Sequence, residues 1–297
     1  MKEIYYKQIK NILIDNEINK KVKDYSKNQK ELQSYYNVGK ILSDAGKHYG
    51  ESIIKQYSTK LTNELGKGYS VTNLKYMRQF YLFGKSHSLS DQLSWTHYRC
   101  LLSLNINDAI NYYIKQIKEK NLSVRNLRKI IKEREYERLD ESTKEKLRDN
   151  KDLSIIDEIK DPILINNRSN MDVNIIKEKV LQKIILEDLN NFLDQLGNGY
   201  TYVRNEYKIK IGNTYNYIDI LLYNVIYHSY VVVELKVTPL KKEHLGQIEV
   251  YINYIDFNLK DITDNKTIGL IVVKENNKYI IKYSSDKRIK AIEYQLI

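Results

Sequence analysis

The sequence predicts an α+β chain of two domains, an all-α N-terminal domain followed by an α/β domain. Three observations carry that expectation. Up to about residue 139 apolar residues recur at three- and four-residue spacing, whereas from about residue 200 to 237 they alternate, the periods of a helix face and of a strand respectively. Residues 1–150 hold 29 Lys and Arg against 18 Asp and Glu, while residues 151–297 hold 20 of each, so the whole formal excess of +11 lies in the first half. Between the two halves runs a segment dense in charge, "DESTKEKLRDNKD", followed by "DPILINNRSNMD" with Pro162 and several turn formers. We divide the chain accordingly into a basic helical domain (1–145), a linker (146–172) and an α/β domain (173–297).

In the first domain "LQSYYNVGKILSDA" and "GESIIKQYSTKLTNEL" read as helices. A third, "SVTNLKYMRQFYLF", is opened by Ser70 as N-cap. "DQLSWTHYRCLLSL" and "INDAINYYIKQIKEK" continue the pattern, and "SVRNLRKIIKEREYERL" begins at Ser123; turns with Gly50, Gly66–Gly68 or Asn121 join them. Two of these helices carry basic residues near their starts, Lys75 and Arg78 in one and Arg125, Arg128, Lys129 and Lys132 in the other. Both suit docking to a nucleic-acid backbone or groove, in the manner of a helix-turn-helix. A solvated face opposite Leu127, Ile130 and Ile131 is the competing reading. Trp95 and His97 in "SWTHY" fit core packing better than catalysis.

In the second domain "VNIIKEKVLQKIILEDLNNFLDQLGNG" predicts one amphipathic helix ending near Gly197. The strands "YTYVRNEYKIKI", "TYNYIDILLYN" and "YVVVELKV" follow, the first two joined by a turn at Gly212–Asn213. After Pro239 "KKEHLGQIEVYINYIDFNL" returns to helix, and "KTIGLIVV" and "KYIIKYS" predict two more strands.

Composition narrows the function. A lone cysteine, Cys100, excludes an internal disulfide and a cysteine-based zinc cage, and its surroundings suggest no thiol enzyme. No apolar run approaches the ~20 residues of a membrane span, and mean hydropathy is -0.57. Without an N-terminal apolar segment after the charged start, the expected setting is the cytoplasm, with no membrane partner. A pI near 9.2 points to a polyanion, although the 27 Tyr and abundant Lys and Asn also fit AT-rich codons.

The candidate chemistry lies in "VVVELKV". Glu234 and Lys236 are two apart on a strand and so project from one face. Asp219, in "YIDILLY" on the preceding strand, would come alongside. Two carboxylates in an apolar sheet repel, and burying them without a counter-charge costs several kcal/mol. A divalent cation resolves that conflict: Asp219, Glu234 and the main-chain carbonyl of Leu235 would form an open site for Mg²⁺ or Mn²⁺, with Lys236 at a phosphoryl oxygen or the attacking water. Gln247 and Tyr251, four apart on the following helix, share a face; Tyr251 and Tyr254 could equally be core aromatics.

The arrangement resembles the PD-(D/E)XK nuclease superfamily, whose restriction-endonuclease-like fold is a mixed sheet flanked by helices. The chain as a whole, from about Leu32 to its end, looks like the bacterial YhcG-type family, in which a helical domain of unknown function precedes such a nuclease domain. "YNVGKIL", "HYGESII", "GYSVTNLKYMRQFY", "QLSWTHYRCLL" and "LSVRNLRKIIKEREYERL" carry the likeness in the first half; "FLDQLGNGYTYV", "YIDILLYN", "VVVELKV", "LGQIEVYINYID" and "DNKTIGLIV" carry it in the second. Tyr36 and Leu122 stand where the family usually has Trp, and Asn126 where Glu is common. The resemblance implies that Asp219, Glu234 and Lys236 form the nuclease triad and that Gln247 and Tyr251 belong to the accompanying helix motif. It also implies a metal-assisting acid on the helix before the sheet, for which Glu178 and Glu187 are both candidates. The expected function is metal-dependent hydrolysis of DNA phosphodiesters. The alternative is a non-catalytic DNA- or protein-binding adaptor that keeps the fold. A protein partner from a defence or mobile-element system and a homodimer are further expectations.

Overall fold

The computed structural model describes residues 2–21, 27–86, 89–90, 92–104, 106–167, 176–282 and 286–297. The chain divides into two compact units, Met1–Tyr136 and Glu137–Ile297.

The first unit is helical: α1 (Lys2–Lys21), α2 (Lys27–Tyr49), α3 (Ser52–Leu65), α4 (Val71–Ser86), α5 (Trp95–Leu101), α6 (Asn107–Lys120) and α7 (Val124–Lys132). The start of the chain, which the sequence reading leaves unassigned, is the 20-residue helix α1. Its buried side chains, Tyr6, Ile9, Leu13 and Asn16, recur at helical spacing among charges that mask the stripe. Helices α2 and α4 approach closely at Gly39, where a Cβ would lie 2.0 Å from the Met77 carbonyl oxygen. The predicted Ser70 cap forms, the Asn73 N–H donating to its Oγ, and Ser123, where the last helix is expected to begin, caps α7 by accepting the Asn126 N–H. Trp95 packs on Tyr35 and Phe80, and Tyr36 meets Phe80 and Tyr81 edge-on. His97 closes a capping box with Ser94, and its Nε2 bonds the Leu122 carbonyl oxygen; burial lowers its pKa, which keeps the ring neutral. Both residues are structural.

The second unit comprises α8 (Glu141–Arg148), β1 (Ile163–Ile165), α9 (Glu178–Glu187), α10 (Leu189–Leu196), β2 (Tyr200–Ile211), β3 (Thr214–Asn224), β4 (Ser229–Pro239), α11 (Lys242–Asn258), β5 (Ile268–Glu275), α12 (Lys278–Lys282) and β6 (Ile289–Leu296). A six-stranded mixed sheet runs in the order β1-β6-β5-β4-β3-β2. The β2–β3–β4 meander is antiparallel, and β4, β5, β6 and β1 are parallel neighbours. One face buries Val231, Val233, Leu235, Leu270 and Val272 beneath Leu181, Ile184 and Ile185 of α9 and Phe192 of α10. The other buries Leu221, Val232, Ile271 and Val273 beneath Ile248, Ile252 and Ile255 of α11. The β4 and β5 runs look continuously apolar because both faces are covered.

Four sequence expectations change. The segment read as a linker is folded within the second unit: Ile163–Ile165 pairs with β6, and Thr143 and Asp157 are buried. Its last residues, and the first of the following predicted helix, lie at 168–175, outside the described residues. That helix is two, broken at Asp188 (φ -133, ψ 53), where Asn166 donates to the Asp188 carboxylate and Asn191 reaches the Leu164 carbonyl at 2.9 Å. The last helix of the first unit stops at Lys132, and Arg134 takes a left-handed φ of 55. "KYIIKYS" begins as the short helix α12, with Ile280 and Ile281 against the α11 cluster, and residues 283–285 lie outside the described residues. The closing strand is Ile289–Leu296 instead; burial of Ile289, Ala291, Ile292 and Tyr294 on both faces erases its alternation. No helix among the described residues is long and apolar enough to cross a membrane.

Candidate active site

The β3–β4 ladder ends at the pair Ile220–Val233. The next residue on each strand is a carboxylate, Asp219 and Glu234. Beyond this point the strands part, and the Leu235 N–H, instead of joining a ladder, donates to Asp219 Oδ2 at 2.8 Å. Because Val233 and Leu235 point into the α9 layer and Val232 into the α11 layer, alternation sends Glu234 and Lys236 toward α11. There Lys236 Nζ donates to Glu234 Oε1 at 2.8 Å, and Gln247 Nε2 donates to the same oxygen at 2.7 Å. Gln247 Nε2 also donates to the Tyr251 hydroxyl at 3.1 Å. The acid and base on one strand face are therefore a buried pair, Glu234 3% and Lys236 9% exposed.

Among the described residues Glu234 Oε2 is buried without a hydrogen-bond partner. A carboxylate oxygen in that position is expensive unless something positive or protonated meets it. The electrostatics agree: burial, followed by repulsion from Asp219, raises the Glu234 pKa to about 7 despite Lys236. Burial also raises Asp219, against the opposing Leu235 hydrogen bond and the charge of Lys236. Burial disfavours the Lys236 ammonium, but the hydrogen bond and charge of Glu234, with Glu178, outweigh it and raise its pKa. The site thus holds more negative charge than its single lysine neutralises. Among the described residues no three His, Cys, Asp or Glu side chains gather into a ready cation cage; the candidate set is two carboxylates plus main-chain oxygen.

From the opposite layer, α9 brings Glu178 Oε2 to 3.7 Å from Lys236 Nζ, and Gln182 donates to the Asp219 carbonyl oxygen at 2.7 Å. Glu178 rather than Glu187 is the acid beside the triad, since Glu187 ends the same helix. Three nearby residues escape the sequence reading. Gln182 holds the Asp219 backbone. His244 is 6% exposed on α11, its Nδ1 accepting from the Lys241 N–H, with a pKa lowered by burial and then by Lys236. Glu206 on β2, whose φ of 46 is left-handed, contributes negative charge to Asp219. Gln182 at four residues after Glu178 was a readable helical signal; the other two depend on strand register and tertiary packing.

In the helical unit, Arg125, Arg128, Lys129 and Lys132 of α7 are exposed, as is Lys75 of α4. Arg78 is ion-paired with Glu51 at 2.5 Å, and Lys129 lies 3.8 Å from Glu133. Cys100 is half-buried, outside the triad.

Two family models match the chain in sequence order, the DUF1016 N-terminal domain over residues 11–138 and the YhcG PDDEXK nuclease domain over residues 157–297. The "Putative nuclease YhcG" of Escherichia coli (strain K12) is 24% identical over 266 residues, covering 76% of this chain and 70% of that protein. Two solved structures are similar over 41% of the chain: a repair endonuclease from Pyrococcus abyssi (15% identity, TM-score 0.30, 47% of its chain) and the EndoMS–dsDNA2 complex (17%, 0.29, 44% of its chain). The match thus spans less than half the length of either. With its helical unit followed by a helix-flanked mixed sheet of restriction-endonuclease type, the chain belongs to the YhcG-type family, which joins a DUF1016 N-terminal domain to a PDDEXK nuclease domain.

Proposed function

We propose that the chain is a divalent-cation-dependent nuclease that hydrolyses DNA phosphodiester bonds, with its basic helical unit binding the DNA. One observation carries this reading: Glu234 presents a buried carboxylate oxygen that has no partner among the described residues, beside a second acid, while a lysine occupies its other oxygen. Asp219, Glu234 and the Leu235 carbonyl would hold the cation. In a strand the N–H and C=O of one residue face the same edge, so the Leu235 carbonyl shares the gap into which its N–H meets Asp219. Mg²⁺ or Mn²⁺ there would polarise a phosphoryl oxygen and neutralise developing charge. The chain's own groups supply the rest. Lys236, kept charged by Glu234 and Glu178, stabilises an anionic phosphoryl oxygen and orients the incoming water. Gln247 fixes the Glu234 carboxylate and, through Tyr251, is itself fixed to α11.

The test is incubation of the purified chain with supercoiled plasmid and with forked DNA in Mg²⁺ or Mn²⁺. Cleavage that disappears in Glu234→Gln is expected. No cleavage in either metal, or equal traces in that variant, overturns the proposal and leaves the adaptor reading.

The role of the helical unit has a separate readout. Arg125, Arg128 and Lys132 recur at three and four residues on α7 and so share an exposed face. Replacing all three by Ala in the full chain is expected to weaken duplex binding roughly 10- to 100-fold at moderate salt. It should also flatten the log–log salt dependence by about 3 units, one for each lost phosphate contact. Fluorescence anisotropy checks this; an unchanged slope assigns the face to a protein partner.

A further inference from the structure

Asp219 sits where the sheet loses its regularity. Ile218 packs into the cluster beneath α11 and Ile220 into the cluster beneath α9, although residues two apart on a strand face one side. The alternation therefore breaks at Asp219. Both neighbouring ladders step over this residue. The β3–β4 register ends at Ile220–Val233, and the β2–β3 register passes from Tyr207–Ile218 to Asn205–Ile220 without a Glu206–Asp219 pair. Glu206 is the β2 residue with the left-handed φ of 46. Neither strand periodicity nor cross-strand pairing thus fixes where the Asp219 carboxylate points.

Two hydrogen bonds take over that task. The Asp219 carboxylate accepts the Leu235 N–H at 2.8 Å, and its carbonyl oxygen accepts Gln182 Nε2 at 2.7 Å. The first engages the group that a cation would claim; the second holds the main chain independently of it. Gln182 is 7% exposed, and its α9 neighbours Leu181, Ile184 and Ile185 belong to the cluster that covers Val231, Val233 and Leu235, so its reach is set by the core. One turn earlier on the same helix face, Glu178 approaches Lys236. A buried carbonyl needs a donor, and any donor would meet that need. What Gln182 adds is direction, because it ties a residue outside both ladders to a helix held by the core. We propose that Gln182 is a positioning residue: by fastening the Asp219 main chain to α9 it aims the carboxylate at the cation and so sets the affinity of the chain for divalent cations. The inference rests on the nuclease reading above, which places a cation between Asp219 and Glu234. Partners behind a metal ligand orient it without touching the metal.

The experiment follows free Mn²⁺ by electron paramagnetic resonance as the full chain is titrated in the absence of DNA. Gln182→Met keeps the length of the side chain and removes the donor; it is expected to weaken Mn²⁺ binding about 10- to 100-fold, the range for losing a partner behind a metal ligand. The Mn²⁺ concentration that gives half-maximal plasmid cleavage should rise by the same factor. Ile184→Val trims a methylene from the same layer, lowering stability without removing a hydrogen bond, and should leave Mn²⁺ affinity unchanged. If Gln182→Met does not melt cooperatively, Gln182→Asn, whose amide stops one methylene short of the carbonyl, carries the same expectation. Unchanged Mn²⁺ affinity in the Gln182 variant, or an equal loss in Ile184→Val, overturns the inference. A wild type that binds Mn²⁺ with an affinity set by Gln182 but cuts nothing sinks the nuclease proposal alone. A wild type that cuts DNA while Gln182→Met binds Mn²⁺ as tightly sinks this one alone, and a wild type that binds no Mn²⁺ sinks both.

Discussion

Asp219→Asn is expected to lower DNA cleavage about 10³-fold or more while making the metal-free protein more stable. The activity loss follows from removing one of two charges that hold the cation; losing about 4 kcal/mol of transition-state stabilisation is a factor of 10³. The stability gain follows from what Asp219 does in its absence. Its carboxylate accepts the Leu235 N–H, and the amide oxygen of Asn can accept the same bond. Its charge raises the pKa of buried Glu234, and that repulsion vanishes in Asn. The expected gain is about 1 kcal/mol, or roughly 2–4 °C in the melting transition of a domain this size. Cleavage assays and thermal melts in EDTA check the two halves together. Lost activity with a lowered melting temperature would make Asp219 a structural residue, and retained activity would remove it from the mechanism.

Much of this site could be read from the sequence because strand periodicity is strict. Two residues apart on β4 means one face, so the Glu234–Lys236 pair follows from spacing, and Gln247 and Tyr251 follow from helical spacing in the same way. Spacing alone cannot tell that the β3–β4 ladder stops at Ile220–Val233, the event that brings Asp219 to the Leu235 N–H rather than into a regular cross-strand pair. Nor does it choose Glu178 over Glu187: both lie on one helix, and only the packing of α9 on β4 decides which end meets Lys236. The fold shows the same division. The meander and α11 were legible from alternation and from the return to helical period after Pro239. The break at Asp188 was hidden because side chains on either side of it continue the amphipathic stripe, while the cause, Asn191 and Asp188 reaching the segment around β1, lies more than twenty residues away. The closing strand was passed over because burial on both faces removes the alternation that identifies a strand.

The same buried acid makes stability depend on pH and metal in a defined direction. Glu234 has an ordinary value of 4.5 and a folded value of about 7. Below about pH 4.5 folded and unfolded chains both carry its proton, and the full stability is present. As pH rises from there to about 7, the unfolded chain ionises while the folded one keeps the proton, so stability falls; above pH 7 both are ionised and the loss is complete. The loss is on the order of 3 kcal/mol. Raised Asp219 adds in the same direction. A divalent cation reverses the preference, because it binds the ionised carboxylates and competes with the proton. Thermal melts in EDTA should therefore decline between pH 5 and pH 7.5, whereas Mg²⁺ should add almost nothing at pH 5 and several degrees at pH 7.5. In Glu234→Gln most of the decline and most of the Mg²⁺ increment should disappear, the remaining decline being that of Asp219. An increment of equal size at both pH values, or one that survives that substitution, places the cation elsewhere on the protein and detaches the buried acid from metal binding.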